Sequence, residues 1–386
     1  MPALVSSLVR VVEGTRTVAG VGRGGLCDLV EVLSVLPDPR RRQGRRFELS
    51  VVLGLALAAV IGGARSYRAI AEWVADLDEH VRRRFGAGRG APSAATIRRV
   101  VLVVDPDLLD AVLTAWLATR APVRQPEQGL VCLAVDGKSA RGGRRPDGRP
   151  VHLVAAVDHD TGVVRGQVAV DAKSNEITAF VPLLDHLELT GVVITADAMH
   201  TQDTHAAYLH RRGAHYVLTV KGNRPTLRRE LASLPWKDVN VAFTCTNTGH
   251  GRVETRTIKV VRPPRRLSFP HARQAICVRR WRRARGAKIQ TETVYALTDL
   301  DFDQVTPAQL AEIIRGHWAI ENQVHHVRDV TFDEDRSQTR TGTSVQVMAT
   351  FRNTAISLHR ITGATTIAQA TRAIMRRPER ILPLIA

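Results

Sequence analysis

VCLAVDGK, residues 131–138, is the stretch from which the rest of the chain can be read. Val131, Cys132, Leu133, Ala134 and Val135 show no alternation of polar and apolar side chains, which predicts a strand buried on both faces in the middle of a sheet. A carboxylate closing such a strand, Asp136, is costly unless it is paired or bound to metal. Gly137 would let the chain turn sharply away or let a ligand reach the backbone, and Lys138 adds a cation for a phosphate. A lone Asp-Gly pair most often caps a turn. Two later stretches change that reading.

The first lies just downstream. Residues 131–136, 152–158 and 162–170 read as three successive strands with turn signals at 145–149 and 160–162, an antiparallel meander. Residues 175–189 then carry Ile177, Phe180, Val181, Leu184 and Leu187 at helical spacing, and GVVITAD (191–197) is a second buried strand ending in aspartate. A crossover helix makes that strand parallel to the sheet. A helix over 201–212 and a strand over 215–221 complete a β-β-β-α-β-α-β order, that of an RNase H-like α/β fold. Residues 222–306 are strand-like and polar, with candidate strands at 253–261, 275–280 and 291–297, and read as an insertion.

The second stretch is a helix over 307–327, started by Thr306 at the N-cap and Pro307 at the first helical position. It carries HWAIENQVHHVRD (317–329), and the helical period puts His317, Glu321, His325 and Arg328 on one face with Trp318 beside them. Asp136 and Asp197 end neighbouring strands and Glu321 is the third carboxylate, a set suited to two Mg²⁺ ions, with Mn²⁺ able to substitute. Two such ions stabilise the attacking and leaving oxygens of an in-line phosphoryl displacement. His317, Glu321 and His325 alone have zinc or iron spacing, but the two strand-end aspartates favour a hard-ion site. His200 and Gln202 follow Asp197 closely enough to face a substrate, and Asn322 adjoins Glu321.

On the N-terminal side, residues 1–125 read as helical, with helices over 47–61, 67–77 and 94–105, the last capped by Ser93. Pro122 and Pro126 mark a boundary at 121–129, which divides the chain into a helical part, 1–125, and a catalytic part, 126–386. Within 66–101 two helices flank a loop with Gly86, Gly88 and Gly90, and the second bears Arg98 and Arg99, as in a DNA-reading helical module or a plain bundle with solvated arginines. PRRRQGRR (39–46) crowds five arginines, among them Arg41, Arg42, Arg45 and Arg46, into eight residues, as a phosphate-contacting or solvated loop. RRWRRARGAK (279–288) sets Trp281 among six basic residues, suited to phosphate binding with stacking or to a basic hairpin tip. Lys138, Lys221, Arg315 and Arg328 are the remaining candidate DNA contacts.

Composition agrees with a polyanionic partner. Lys and Arg number 55 against 37 Asp and Glu, a formal net charge of +18, and the apolar share of 44% supports an ordinary core. The longest apolar run, 49–61, is interrupted by Ser50 and Gly54 and is too short to span a membrane. The opening MPALVSSLVRVVEGTR has no signal-peptide pattern, so a cytoplasmic, nucleoid-associated location is expected. Cys27, Cys132, Cys245 and Cys277 lack metal-ligand spacing and read as reduced thiols.

These residues carry a resemblance. DPRRRQGRRFEL (38–49), PSAATIRRV (92–100), VDGKSARG (135–142), TADAMHTQ (195–202), YVLTVKGN (216–223), HGRVETR (250–256), RGHWAIEN (315–322) and DVTFDEDRSQTRTG (329–342) together resemble a DDE transposase of bacterial insertion sequences, the ISAs-type branch that includes the H-repeat-associated proteins. The match spans nearly the whole chain. It implies a catalytic and metal-binding triad of Asp136, Asp197 and Glu321, with intervals of 61 and 124 residues, the longer holding the strand-rich insertion. It also implies double-stranded DNA (element ends and target) as partner, a homodimer on that DNA, and cleavage followed by strand transfer. Related transposases often carry Tyr and Arg before the glutamate, where Ile314 and His317 stand here, and a basic residue seven after it, where Arg328 stands. A stand-alone nuclease of the same fold and a DNA-binding protein that has lost catalysis are the alternative readings.

Overall fold

In the computed structural model the strand expected at 131–136 forms but does not stop at the aspartate: β1 runs Cys132–Arg144. Gly137 therefore makes no turn, and its lack of a side chain answers a different need. A Cβ there would sit 2.4 Å from the carboxyl carbon of Glu176. The structure describes residues 28–386 apart from 44, 122–128, 145–147, 171–173, 250, 285 and 287. The expectations for residues 1–16, for Cys27, for the boundary at 122–128 and for most of the turn at 145–149 lie outside the described residues.

The meander is present. β2 (Pro150–Asp158) runs antiparallel to β1, with Asp136 opposite Ala155, and β3 (Val164–Ala169) runs antiparallel to β2. The crossover helix Glu176–Leu184 starts where the Asn175 side chain accepts the Ile177 N–H, and leads into β4 (Val193–Ala196), parallel to β1. Val135 pairs with Ala196, so Asp136 and Asp197 stand side by side one residue further along each chain. Helix Asp203–Arg211 and the parallel strand β5 (His215–Val220) complete the RNase H-like order.

The insertion is part of the same sheet. β6 (Phe243–Gly249), β7 (Arg252–Val261), β8 (Gln274–Ala284) and β9 (Gln290–Thr298) are joined antiparallel in sequence, and β9 pairs with β5, giving the order β3-β2-β1-β4-β5-β9-β8-β7-β6. β6 has no counterpart among the expected strands: FTCTNTG is an edge strand whose residues are half-buried or exposed, so it lacks an apolar run.

The two faces of β1 serve different cores, as the alternation of a strand requires. Leu133 and Val135 pack with Phe180, Leu184 and Leu209 of the crossover helices. Ala134 belongs to a cluster that includes Val157, Ile320, Val347 and Phe351 together with Leu53, Ile97 and Trp116 of the N-terminal helices. Helices Leu49–Ile61, Tyr67–Ala75 and Ala94–Val103 form close to where periodicity placed them, with Ser93 capping the last and a short helix, Glu79–Arg84, before it. Helix Leu49–Ile61 is buried along its whole length, against helix Ser344–Ile361 among others. The helical part and the sheet thus share one core. The outer edge of β3 is covered by side chains: Gln167 N–H donates to Asp110 Oδ2 and Val164 N–H to Ser357 Oγ, each at 3.0 Å. Among the described residues no helix is long and apolar enough to cross a membrane.

Candidate active site

The late helix begins as expected, with a reciprocal capping box between Thr306 and Gln309 and Pro307 in the first turn. It ends at Gly316, short of the 327 that periodicity gave. A Cβ at Gly316 would lie 2.3 Å from His159 Nδ1, so only glycine lets the helix pass this ring. After a turn at His317–Trp318 the chain resumes, forms a π-helical turn over Glu321–His325, and continues as helix His326–Val330. A π turn inserts backbone and rotates the downstream residues about the axis. The single face expected for His317, Glu321, His325 and Arg328 is therefore split. Glu321 and His325 look toward Asp136 on β1, His317 turns its Nδ1 to Thr195 Oγ1 at 3.2 Å, and Arg328 points inward.

Each acidic group is held. Asp136 Oδ1 accepts the Gly137 N–H at 2.9 Å, and Asp197 Oδ1 accepts the Ala198 N–H at 2.7 Å and the Lys221 ammonium at 3.1 Å. His325 Nδ1 lies 3.1 Å from Glu321 Oε2 and 3.8 Å from Asp136 Oδ2. Candidate ligand atoms of Asp136, Glu321 and His325 all fall within 4.8 Å of one another, and Asp197 stands outside that group. Two carboxylates and an imidazole nitrogen at this spacing fit a divalent cation. The zinc-like set of His317, Glu321 and His325 is not assembled, because His317 is committed to Thr195.

The protonation states suit such a site. Burial pushes the Asp136 carboxyl above its usual value, against the pull of His325. The His325 hydrogen bond holds Glu321 below its usual value. Burial works against the charge on Asp197, but the Ala198 N–H and Lys221 outweigh it and the pKa is lowered. Burial takes His317 down to about 4, so it is neutral near pH 7.

All three acidic residues line one cavity of about 370 Å³, together with Lys221, Arg256, Arg280, Arg315 and the exposed Trp318. Arg256 and Arg280 come from the inserted strands β7 and β8, so the insertion supplies cations to a cavity whose two aspartates come from β1 and the end of β4. Arg280 is one of the six basic residues read at 279–288, whereas sequence reading does not single out Arg256 as a contact. Arg256 is paired with Glu254, Arg280 with Glu292, and Arg315 donates to Asn247 at 3.2 Å.

Several expected DNA contacts are placed elsewhere. Arg328 is fully buried, bound through Nε and Nη2 to both oxygens of Glu334 at 2.7 and 2.5 Å, and cannot touch a phosphate. Lys138 is spent on Asp329 at 2.7 Å, with its side chain only 10% exposed. His200 is completely buried and faces Glu176 rather than a substrate. In the arginine loop the anion is internal: Asp38 pairs with Arg40 at 2.8 Å and Arg45 at 3.4 Å, while Arg46, which donates to Arg89 O, is exposed along with Arg41 and Arg42. Arg98 and Arg99 are exposed on their helix, and Trp281 is half-buried beneath the Arg279 guanidinium, 5.1 Å from the ring centroid.

An RNase H-like sheet whose aspartates, one within β1 and one at the end of β4, share a cavity with a glutamate on a later helix defines the class, a carboxylate-site protein of the RNase H-like fold. The particular family comes from comparison: the chain belongs to the DDE transposases, with residues 127–358 matching the transposase DDE domain and residues 30–117 the DDE_Tnp_1-associated region. YncI of Escherichia coli O157:H7 is 32% identical over 351 residues, covering 86% of this chain and 87% of that protein. The H repeat-associated protein YhhI of Escherichia coli K12 is 29% identical over 345 residues, covering 86% and 89%. A cryo-EM structure of a piggyBac transposase synaptic complex with hairpin DNA superposes with a TM-score of 0.41 at 11% identity, over 94% of this chain and 77% of that one.

Proposed function

We propose that this transposase binds the terminal inverted repeats of its own element as a homodimer, cleaves a phosphodiester there with Mg²⁺ or Mn²⁺, and joins the freed 3′ end to target DNA. Asp136, Asp197 and Glu321 are the catalytic residues and would hold the divalent ions, with His325 beside them. The observation that carries the reading is the single cavity in which these acids meet Lys221, Arg256, Arg280 and Arg315. When bound, the ions would supply charge stabilisation to the attacking and leaving oxygens of an in-line displacement.

The chain's own groups do the remaining work. His325 fixes the orientation of the Glu321 carboxylate, and the N–H groups of Gly137 and Ala198 fix the two aspartates. Lys221 balances Asp197 in the protein alone and is free to turn to a phosphate once a cation takes over that role. Arg256, Arg280 and Arg315 orient the DNA backbone across the cavity mouth. We assign the helical part, 1–125, to DNA association and 126–386 to catalysis, with further phosphate contacts from Arg41, Arg42, Arg98 and Arg99.

The test supplies the purified protein with intact and pre-cleaved element ends, target plasmid and Mg²⁺. Joined products are expected, and Asp136→Asn, Asp197→Asn and Glu321→Gln should each lose about 10²-fold or more of cleavage while still binding ends, because misplacing a reacting group by an ångström has that cost. Nicks without joining would make the protein a nuclease, and mobility shifts without cutting a binding module.

A further inference from the structure

Behind the catalytic acids, on the opposite face of β1, lies a charged cluster that the mechanism above does not use. Glu176 opens the crossover helix, and its Oε1 accepts from His152 Nε2 at 2.6 Å. With that ring nitrogen donating, His152 Nδ1 is left to accept from the Ser139 hydroxyl at 2.8 Å. Ser139 is on β1, three residues after Asp136. The second oxygen, Glu176 Oε2, lies 3.4 Å from Nε2 of His200, the last residue of the 3₁₀ turn Ala198–His200 that Asp197 caps. His200 is completely buried, and its ring packs against Phe180 and His205. Between these two contacts the carboxylate presses on Gly137, where a Cβ would lie 2.4 to 2.5 Å from its three terminal atoms. One side chain thus touches both segments that carry the aspartates, and the residue next to Asp136.

We infer that Glu176 is a positioning residue for the carboxylate site: hydrogen-bonded to His152, set against the buried His200 ring at 3.4 Å and wedged against Gly137, it sets the separation of Asp136 and Asp197 at which divalent ions bind. The inference rests on the reading that those two aspartates hold the ions. Its physical basis is that like charges on neighbouring strands repel until a cation arrives, so their spacing must be held from behind. Burial opposes the Glu176 charge, but the two histidines outweigh it and bring its pKa to about 2, so the carboxylate stays ionised as it accepts from His152. Partners one layer behind metal ligands commonly govern metal affinity by 10- to 100-fold.

Mn²⁺ binding to the full chain without DNA, followed by the loss of free-Mn²⁺ electron paramagnetic resonance, tests this apart from activity. Glu176→Gln should weaken binding about tenfold or more. Gly137→Ala, which displaces the carboxylate without removing it, should weaken binding similarly, yet have little further effect in a Glu176→Ala background where its Cβ has room. Wild-type affinity in Glu176→Gln, or additive losses in that cycle, would overturn the inference. Asp136→Asn separates the two levels: if it too binds Mn²⁺ like the wild type, the assignment of the metal site fails as well, whereas loss in Asp136→Asn with no loss in Glu176→Gln removes only the role of Glu176.

Discussion

Glu321 and Arg328 stand seven residues apart on one helical segment, and the surroundings of each make them opposites. Glu321 has a half-exposed side chain, one hydrogen-bond partner and an open cavity in front of it. Arg328 has no solvent at all: Glu334 binds it bidentately, Arg352 reaches the same carboxylate at 3.3 Å, and Gln167 and Asn353 complete the shell. Burial opposes the Glu334 charge, but the two guanidinium groups outweigh it and hold its pKa at about 2. A charge enclosed with full partners serves the scaffold, and a charge left under-partnered at a cavity is available for chemistry. The π turn between the two residues is what sends them to different sides.

The sharpest way to break this contrast is to remove both groups separately. Arg328→Ala should cost about 3–5 kcal/mol of stability, since it leaves a buried carboxylate partly uncompensated. Glu321→Gln should leave the denaturation midpoint nearly unchanged and take cleavage down by about 10²-fold or more. Chemical denaturation and end cleavage on both variants decide it. A stable Arg328→Ala protein with poor cleavage would put Arg328 back at the DNA.

The interior network also predicts a pH signature. Asp110 reaches it through Gln167 and Thr350, and burial raises its pKa to about 7. An acid whose folded pKa is raised contributes stability that is fully present below its unfolded value, near 3.9, and is lost as pH rises through about 7. Glu334 has the opposite sign: its contribution is present above about 4.3 and lost as pH falls toward about 2. Asp110→Asn should therefore flatten the decline in stability between about pH 4 and 7 and leave the acid limb in place. A decline equally steep in the variant would mean that Asp110 is ionised in the folded protein throughout that range.

Much of this is legible in the amino-acid order alone. Apolar runs ended by aspartate at 136 and 197, with a helix between them, dictate a parallel pair, and the pair β1 and β4 is what forms. Ser93 and Thr306 are readable caps because their side-chain oxygens bond to backbone three residues on. The features that escape such a reading depend on partners distant in sequence. Gly137 looks like a turn because Glu176, which needs the space, is 39 residues away. The need for glycine at 316 is set by the His159 ring, and the burial of Arg328 by Glu334, Arg352 and Gln167 together. A weak signal for the Glu176 cluster is present: His152 interrupts the apolar run VHLVAAVD, and Glu176 comes directly after the helix cap Asn175. β6 gives none, since an edge strand of Thr, Asn and Gly has no apolar periodicity.

The contrast extends, at its smallest scale, to the arginine loop near the N-terminus. Arg40 and Arg45 share Asp38, and Arg40 also donates to Phe47 O at 2.9 Å, which makes them the loop's own fasteners. Arg41 and Arg42 are exposed, side by side, with the excess charge of the loop unshared. If unshared cations are the ones that meet DNA, neutralising Arg41 and Arg42 together should weaken binding to element ends and reduce the slope of log K against log salt by about 0.9 for each lost phosphate contact. Thermal stability should not move, because no interior partner is lost. Arg40→Ala should do the reverse, costing about 0.2–1 kcal/mol of stability through a partly exposed ion pair while leaving the salt slope close to wild type. A salt titration of end binding on the two variants therefore separates fastener from contact. An unchanged slope after loss of Arg41 and Arg42 would show that exposure without a partner is not enough to mark a DNA contact in this chain, and the same conclusion would then extend to Arg98 and Arg99, whose assignment rests on exposure alone.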